Sequence, residues 1–148
     1  MNAGTIARYV IFDLDGTLIN VNSITHLIGD WEQFHMESLR CPPHEKMVEF
    51  ARRMQCCCDL IISTGKPEAY YQRAVDYLSV LGIQPEAIIM RPALNTESDA
   101  QLKLRKLEEY LGADWRDQVL FAVDDRDKMV EAWRAAGVTC LQCAPSLY

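Results

Sequence analysis

Apolar residues along this chain fall into short unbroken runs that take turns with helical stripes. The first run, Tyr9-Val10-Ile11-Phe12, is apolar without alternation, as in a parallel strand covered on both faces. It stops abruptly on Asp13-Leu14-Asp15-Gly16-Thr17. A second run, Leu60-Ile61-Ile62-Ser63-Thr64, is ended by Gly65-Lys66-Pro67, and a third is Ala87-Ile88-Ile89-Met90. The fourth, Val119-Leu120-Phe121-Ala122-Val123, runs straight into Asp124-Asp125, and a last strand covers 138–141. Between the runs the spacing predicts helices. Pro42-Pro43 opens one, in the position proline tolerates best, with Met47, Phe50, Ala51 and Met54 at helical spacing. Pro67 starts the next, with Tyr70, Tyr71, Ala74, Tyr77, Leu78 and Leu81 as its stripe and Gly82 closing it. A third helix spans 98–111 on Leu102, Leu104, Leu107 and Leu111, and a fourth spans 128–136 on Met129, Val130, Trp133 and Ala136. Strands alternating with helices on short connections predict an α/β fold, a three-layer, doubly wound parallel sheet. Residues 19–42 show no clean period and are expected to form a small flap-like insertion over the strand ends. It carries Trp31, Phe34, His26 and His35, and a histidine there is either a substrate contact or base, or an ordinary surface histidine.

Composition narrows the class. A chain of 148 residues supports one domain with a core, here 1–148, and is too short for two ordinary ones. No apolar run approaches the roughly 18 residues of a membrane span. No basic start leads into an apolar signal core, so a cytoplasmic protein away from membranes is expected. The net charge of −6 argues against a broadly basic nucleic-acid surface but leaves room for a basic patch around one phosphate. Of the six cysteines, Cys56, Cys57 and Cys58 are consecutive, which suits neither a disulfide framework nor a paired-knuckle zinc site. Cys140 and Cys143 make a C-x-x-C on a predicted terminal strand rather than at a helix start, so reduced, packed thiols are expected.

Three strands end in polar clusters: Asp13-x-Asp15, Thr64-Gly65-Lys66 and Asp124-Asp125. Asp13 and Asp15 project to the same side of an extended backbone, and Gly16 allows a sharp turn after them. In a parallel α/β sheet all strand carboxyl ends share one edge, where ligands bind, so the clusters can meet there. Four converging carboxylates repel by several kcal/mol unless a cation lies among them, and oxygen donors at this density select Mg²⁺. The alternative for Asp124-Asp125 is a cap on the following helix.

Asp13-Leu14-Asp15-Gly16-Thr17, then Thr64-Gly65, a helical lysine and Asp124-Asp125 resemble the four ordered motifs of the haloacid dehalogenase (HAD) superfamily, across essentially the whole chain. The segment 122–134, followed by Gly137-Val138-Thr139-Cys140, is similar in kind to the end of the 3′-phosphatase domain of phage-type polynucleotide kinase/phosphatases. The resemblance implies a HAD fold without a large cap domain and a phosphomonoesterase working through an aspartyl-phosphate. Asp13 would be the nucleophile and Asp15 the acid and base, and keeping Asp15 favours phosphoryl transfer over the dehalogenase branch. It further implies that Asp13, Asp15 through its backbone carbonyl, Asp124 and Asp125 hold Mg²⁺. Thr64, the Gly65 amide and Lys103 would bind the phosphate, with Lys106 as the alternative lysine. Lys66, Arg91 and Arg126 are candidates for a neighbouring phosphate, although each is equally readable as a surface cation. Related polynucleotide phosphatases often carry arginine where this chain has Lys66, and lysine lacks the planar fork that grips phosphate. The expected substrate is a nucleic-acid 3′-phosphate end or a nucleotide. A small-metabolite phosphatase and a non-enzymatic binding subunit are the other readings.

Overall fold

In a computed structural model that describes residues 6–148, five strands form one sheet in the order β3-β2-β1-β4-β5, every neighbouring pair parallel. They are β1 (Tyr9–Phe12), β2 (Asp59–Pro67), β3 (Ala87–Arg91), β4 (Val119–Asp124) and β5 (Cys140–Gln142). The helices are α1 (Trp31–Ser38), α2 (Glu45–Met54), α3 (Tyr71–Val80), α4 (Asp99–Leu111), α5 (Trp115–Gln118) and α6 (Asp127–Ala135).

β1 shows why the molecule has three layers. All four of its residues are buried, yet they divide between two cores. Val10 and Phe12 pack with Val48 and Ala51 of α2, Ala74 and Leu78 of α3, and the flap residues Ile24 and Phe34. Tyr9 and Ile11 pack with Leu107 of α4, Trp115 of α5 and Met129, Val130 and Trp133 of α6. Each fully buried aliphatic or aromatic side chain contributes about 1.5–3 kcal/mol, so the strand is held from both faces. On the second face Trp115 and Trp133 meet edge to face, with ring centroids 6.4 Å apart.

The α/β class and the doubly wound sheet agree with the sequence expectation, while several boundaries differ. β2 runs through Gly65-Lys66 to Pro67 instead of ending at Thr64, and α3 begins only at Tyr71, after a 3-10 turn at Glu68–Tyr70. The ladder with β1 stops at Phe12↔Ile62, so the end of β2 has only β3 beside it, paired at Pro67↔Arg91. A proline is tolerated there because one flank of the strand is free. Pro43 does not open α2. It forms a bridge with Ile19, and His44 donates its amide to the Leu18 carbonyl at 2.7 Å, which ties the two stems of the flap together. The flap itself holds a 3-10 stretch, Asn22–Leu27, before α1. Ser98 caps α4, its hydroxyl accepting from the Gln101 amide. The short α5 was not expected, although its Trp115 is fully buried.

Candidate active site

Register places the acids. Phe12 sits opposite Val123, so Asp13 and Asp124 follow side by side at the carboxyl ends of β1 and β4, and the Asp13 amide extends the ladder onto the Val123 carbonyl at 3.0 Å. Asp125 is one residue further on. Carboxylate oxygens of Asp13, Asp124 and Asp125 all lie within 4.8 Å of one another, and all three residues are buried. The turn after β1 brings Gly16 against Asp125: at φ +83°, a β-carbon on Gly16 would lie 2.3 Å from Asp125 Oδ2. Only glycine serves there. Thr17, also buried, donates its hydroxyl to Asp125 Oδ1 at 3.3 Å.

One ammonium enters this cluster. Lys103, on the second turn of α4, is 3 % exposed and reaches Asp13 Oδ1 at 2.9 Å and Asp124 Oδ2 at 3.0 Å. Asp124 Oδ2 also accepts from the indole N–H of Trp133 at 3.4 Å. Burial disfavours the charged lysine, but Asp124 and Asp13 outweigh it and raise its pKa. The carboxylates remain under-compensated. Burial, then the charge of Asp124, push Asp13 well above the usual range. The same two causes push Asp125 up to about 6. Three buried carboxylates, oxygen-only donors and one ammonium leave a charge deficit that a hard divalent cation fits.

Asp15 is set apart from that group. Its Oδ2 lies 3.0 Å from the ammonium of Lys66, itself completely buried. His35 Nδ1 of α1 approaches the same oxygen at 3.8 Å. Burial works against the charge on Asp15, yet the charge of Lys66, then the nearby polar groups of His35 and Ser38, outweigh it and hold its pKa below the ordinary value. Lys66 is therefore not a surface cation. Burial lowers its own pKa, with Asp15 opposing.

Thr64 is buried, and its hydroxyl oxygen accepts from the Lys66 amide at 3.1 Å, which leaves the hydroxyl proton to donate. Gly65 packs against Asp99, where a β-carbon would come within 2.5 Å of Oδ1. Arg91 donates Nε to the Gly65 carbonyl at 3.2 Å, Nη1 to the Glu97 carbonyl at 2.8 Å and Nη2 to Asp99 Oδ1 at 2.5 Å. Arg126 pairs with the other oxygen of Asp99 and stacks its guanidinium 4.4 Å from the ring centre of Tyr148. Asp99 thus joins the two arginines across the cleft. Sequence reasoning passed over it, although it sits four residues before Lys103 and so on the same helix face. In the sequence, His35 is readable as either a site contact or a surface histidine, and Ser38 carries no signal. Lys103 rather than Lys106 reaches the acids.

Asp13, Asp15, Thr64, Arg91, Lys103 and Arg126 line a cleft of about 970 Å³, together with Trp31, Tyr70 and Tyr148. All six cysteines are free thiols, although Cys56 and Cys57 are exposed rather than packed as expected, and among the described residues no helix is long and apolar enough to cross a membrane.

A family model described as the polynucleotide kinase PNKP phosphatase domain matches residues 7–148. No curated protein matches the chain. Among solved structures, a chain of the Pnkp1/Rnl/Hen1 RNA repair complex superposes with a TM-score of 0.81 at 22% identity, over 96% of this chain and 44% of its own. Another Pnkp1/Rnl/Hen1 complex gives 0.78 at 22% identity, over 96% and 48%. The chain therefore spans about half the length of these relatives. A haloacid dehalogenase-like hydrolase from Streptococcus pneumoniae gives 0.65 at 15% identity, over 92% and 84%, in keeping with a fold that lacks a large cap.

Proposed function

The chain belongs to the polynucleotide kinase PNKP phosphatase-domain family of HAD-type phosphatases, and from that membership we propose that it is a Mg²⁺-dependent phosphomonoesterase that removes a terminal 3′-phosphate from nucleic acid or nucleotides. The observation that carries this reading is the meeting of Asp13, Asp124 and Asp125 within 4.8 Å around Lys103. Asp13, Asp124, Asp125 and the backbone carbonyl of Asp15 would hold Mg²⁺. When bound, the ion supplies positive charge that lets a carboxylate approach an anionic phosphate.

The protein's own residues do the rest. Thr64 Oγ, the Gly65 amide and the Lys103 ammonium hold the phosphate oxygens. An Asp13 oxygen forms a bond to phosphorus as the bond from phosphorus to the leaving oxygen breaks, and Asp15 gives that oxygen its proton. A phosphate beside Asp15 raises its pKa by like-charge repulsion, which readies it as the acid. Water then attacks phosphorus, Asp15 takes the water's proton, and the bond to Asp13 breaks. Inorganic phosphate and the free carboxylate result.

A nucleic-acid end fits the surroundings. Arg91 and Arg126 stand beside the cleft for a neighbouring phosphate, and the half-exposed indole of Trp31 offers a flat face to a base. A small phosphate ester is the second reading, favoured by the commitment of both arginines to Asp99. Phosphate release with Mg²⁺ from a 3′-phosphorylated oligonucleotide, its 5′-phosphorylated counterpart and a panel of mononucleotides separates the two. The 3′-end is expected to be preferred, and Asp13→Asn is expected to abolish turnover while keeping the fold. Faster turnover of the small esters overturns the nucleic-acid substrate, and an active Asp13→Asn protein overturns the mechanism.

A further inference from the structure

Lys66 is a lysine with none of its surface exposed. Sealing an ammonium away costs several kcal/mol unless every donor is matched. Its ammonium pairs with Asp15 Oδ2 at 3.0 Å and has His35 Nδ1 at 3.4 Å, and it donates to Ser38 Oγ at 2.6 Å and to the His35 carbonyl at 3.1 Å. The last two belong to α1 of the flap. A compact ammonium suits three oxygens that diverge from one point, where a planar guanidinium does not. Nothing of Lys66 is left to grip a phosphate. Asp15 Oδ1, by contrast, is buried with no hydrogen-bond partner among the described residues, and Asp15 lines the cleft.

We propose that Lys66 is a positioning residue that anchors Asp15 by Oδ2, so that Oδ1 alone meets the leaving oxygen, and that seats the flap helix on the same carboxylate. The proposal rests on Asp15 being the acid and base of the reaction above. Lys66 acts through Asp15 and touches no reacting atom. With the anchor gone, the carboxyl rotates away from the leaving group, and the loss falls on the step that needs its proton.

Leaving groups read that step. An alkoxide leaving from a 3′-phosphorylated oligonucleotide needs the proton, whereas p-nitrophenolate hardly does. With Mg²⁺ present, Lys66→Met is expected to lower the single-turnover rate of leaving-group release from the oligonucleotide by about 10–100-fold, and from p-nitrophenyl phosphate by only a few-fold. The later hydrolysis, in which Asp15 is the base, is common to both substrates and does not enter this rate. Asp15→Asn should give the same split, and the double variant should add little to it. Ser38→Ala, which keeps Asp15 and Lys66, should show a milder split and faster proteolytic cutting within 19–42, and it keeps the test alive if Lys66→Met fails to fold. An equal loss on both substrates for Lys66→Met, or no split for Ser38→Ala, overturns the proposal. The two levels fail differently. If wild type hydrolyses neither ester, the phosphatase reading falls and takes this proposal with it. If wild type and Asp15→Asn behave as stated while the Lys66 variant loses both activities equally, only the role of Lys66 falls.

Discussion

Lys103 and Asp13, 90 residues apart in the chain, meet at 2.9 Å beneath the cleft. Lys103 is the ammonium shared by Asp13 and Asp124, so Lys103→Met leaves buried carboxylates facing one another. Breaking a buried pair from one side costs about 3–5 kcal/mol. Urea unfolding without divalent cations should show a loss of that size, partly restored by Mg²⁺. Phosphatase turnover should fall by about 10²–10³-fold even in the rescued protein if Lys103 is, as proposed, a donor to the transferred phosphate.

Mg²⁺ itself should stabilise the fold. An ion bound only by the folded state adds about 2.7 kcal/mol at 100 times its Kd, or roughly 5–10 °C in Tm for a chain of this size. Calorimetry with Mg²⁺ against a chelator checks the shift, and Asp125→Asn should shrink it. Chelation should also remove turnover from the wild-type protein.

Gly16 offers a sharper test of geometry. A left-handed backbone costs a non-glycine residue about 1–2 kcal/mol, and the added β-carbon would run into Asp125. Gly16→Ala should therefore lose at least that much stability, together with most of its activity. Gly29→Ala, also at positive φ but with nothing near its β-carbon, should lose stability alone.

Asp99 sets a dependence of stability on acid. Burial opposes its charge, but Lys103, Arg126 and Arg91 outweigh it and hold its pKa below the unfolded value. A carboxyl depressed on folding stabilises the protein in full above its unfolded pKa, near about 4, and loses that contribution as pH falls through the folded value. Asp99→Asn should thus be less stable than wild type at neutral pH, and the gap should close in strong acid. Chemical unfolding at a series of pH values tests the sign.

Much of this was legible along the chain because period and punctuation agreed. Asp13 and Asp124 follow unbroken apolar runs, and the parallel register turns that shared position into contact. What escaped depended on where a strand stops having neighbours. Lys66 read as a turn residue after Thr64, yet β2 continues as an extended strand beyond its ladder with β1, and the lysine turns inward to Asp15. The flap gave no periodic signal, because the 3-10 stretch before α1 is broken by non-helical dihedrals at Ile24. Asp99 carries no distinguishing signal in the sequence, and only its two arginine partners, brought from β3 and from the start of α6, reveal its place.

The double covering of β1 carries a last implication. A strand flanked by β2 and β4, with a core on each side, opens only when the whole molecule does. Amide exchange at Ile11 and Phe12 should therefore report global unfolding, and Asp13, the proposed nucleophile one residue later, shares their fate. Heating should extinguish catalysis and native structure over one transition, with no half-melted species that still turns over substrate.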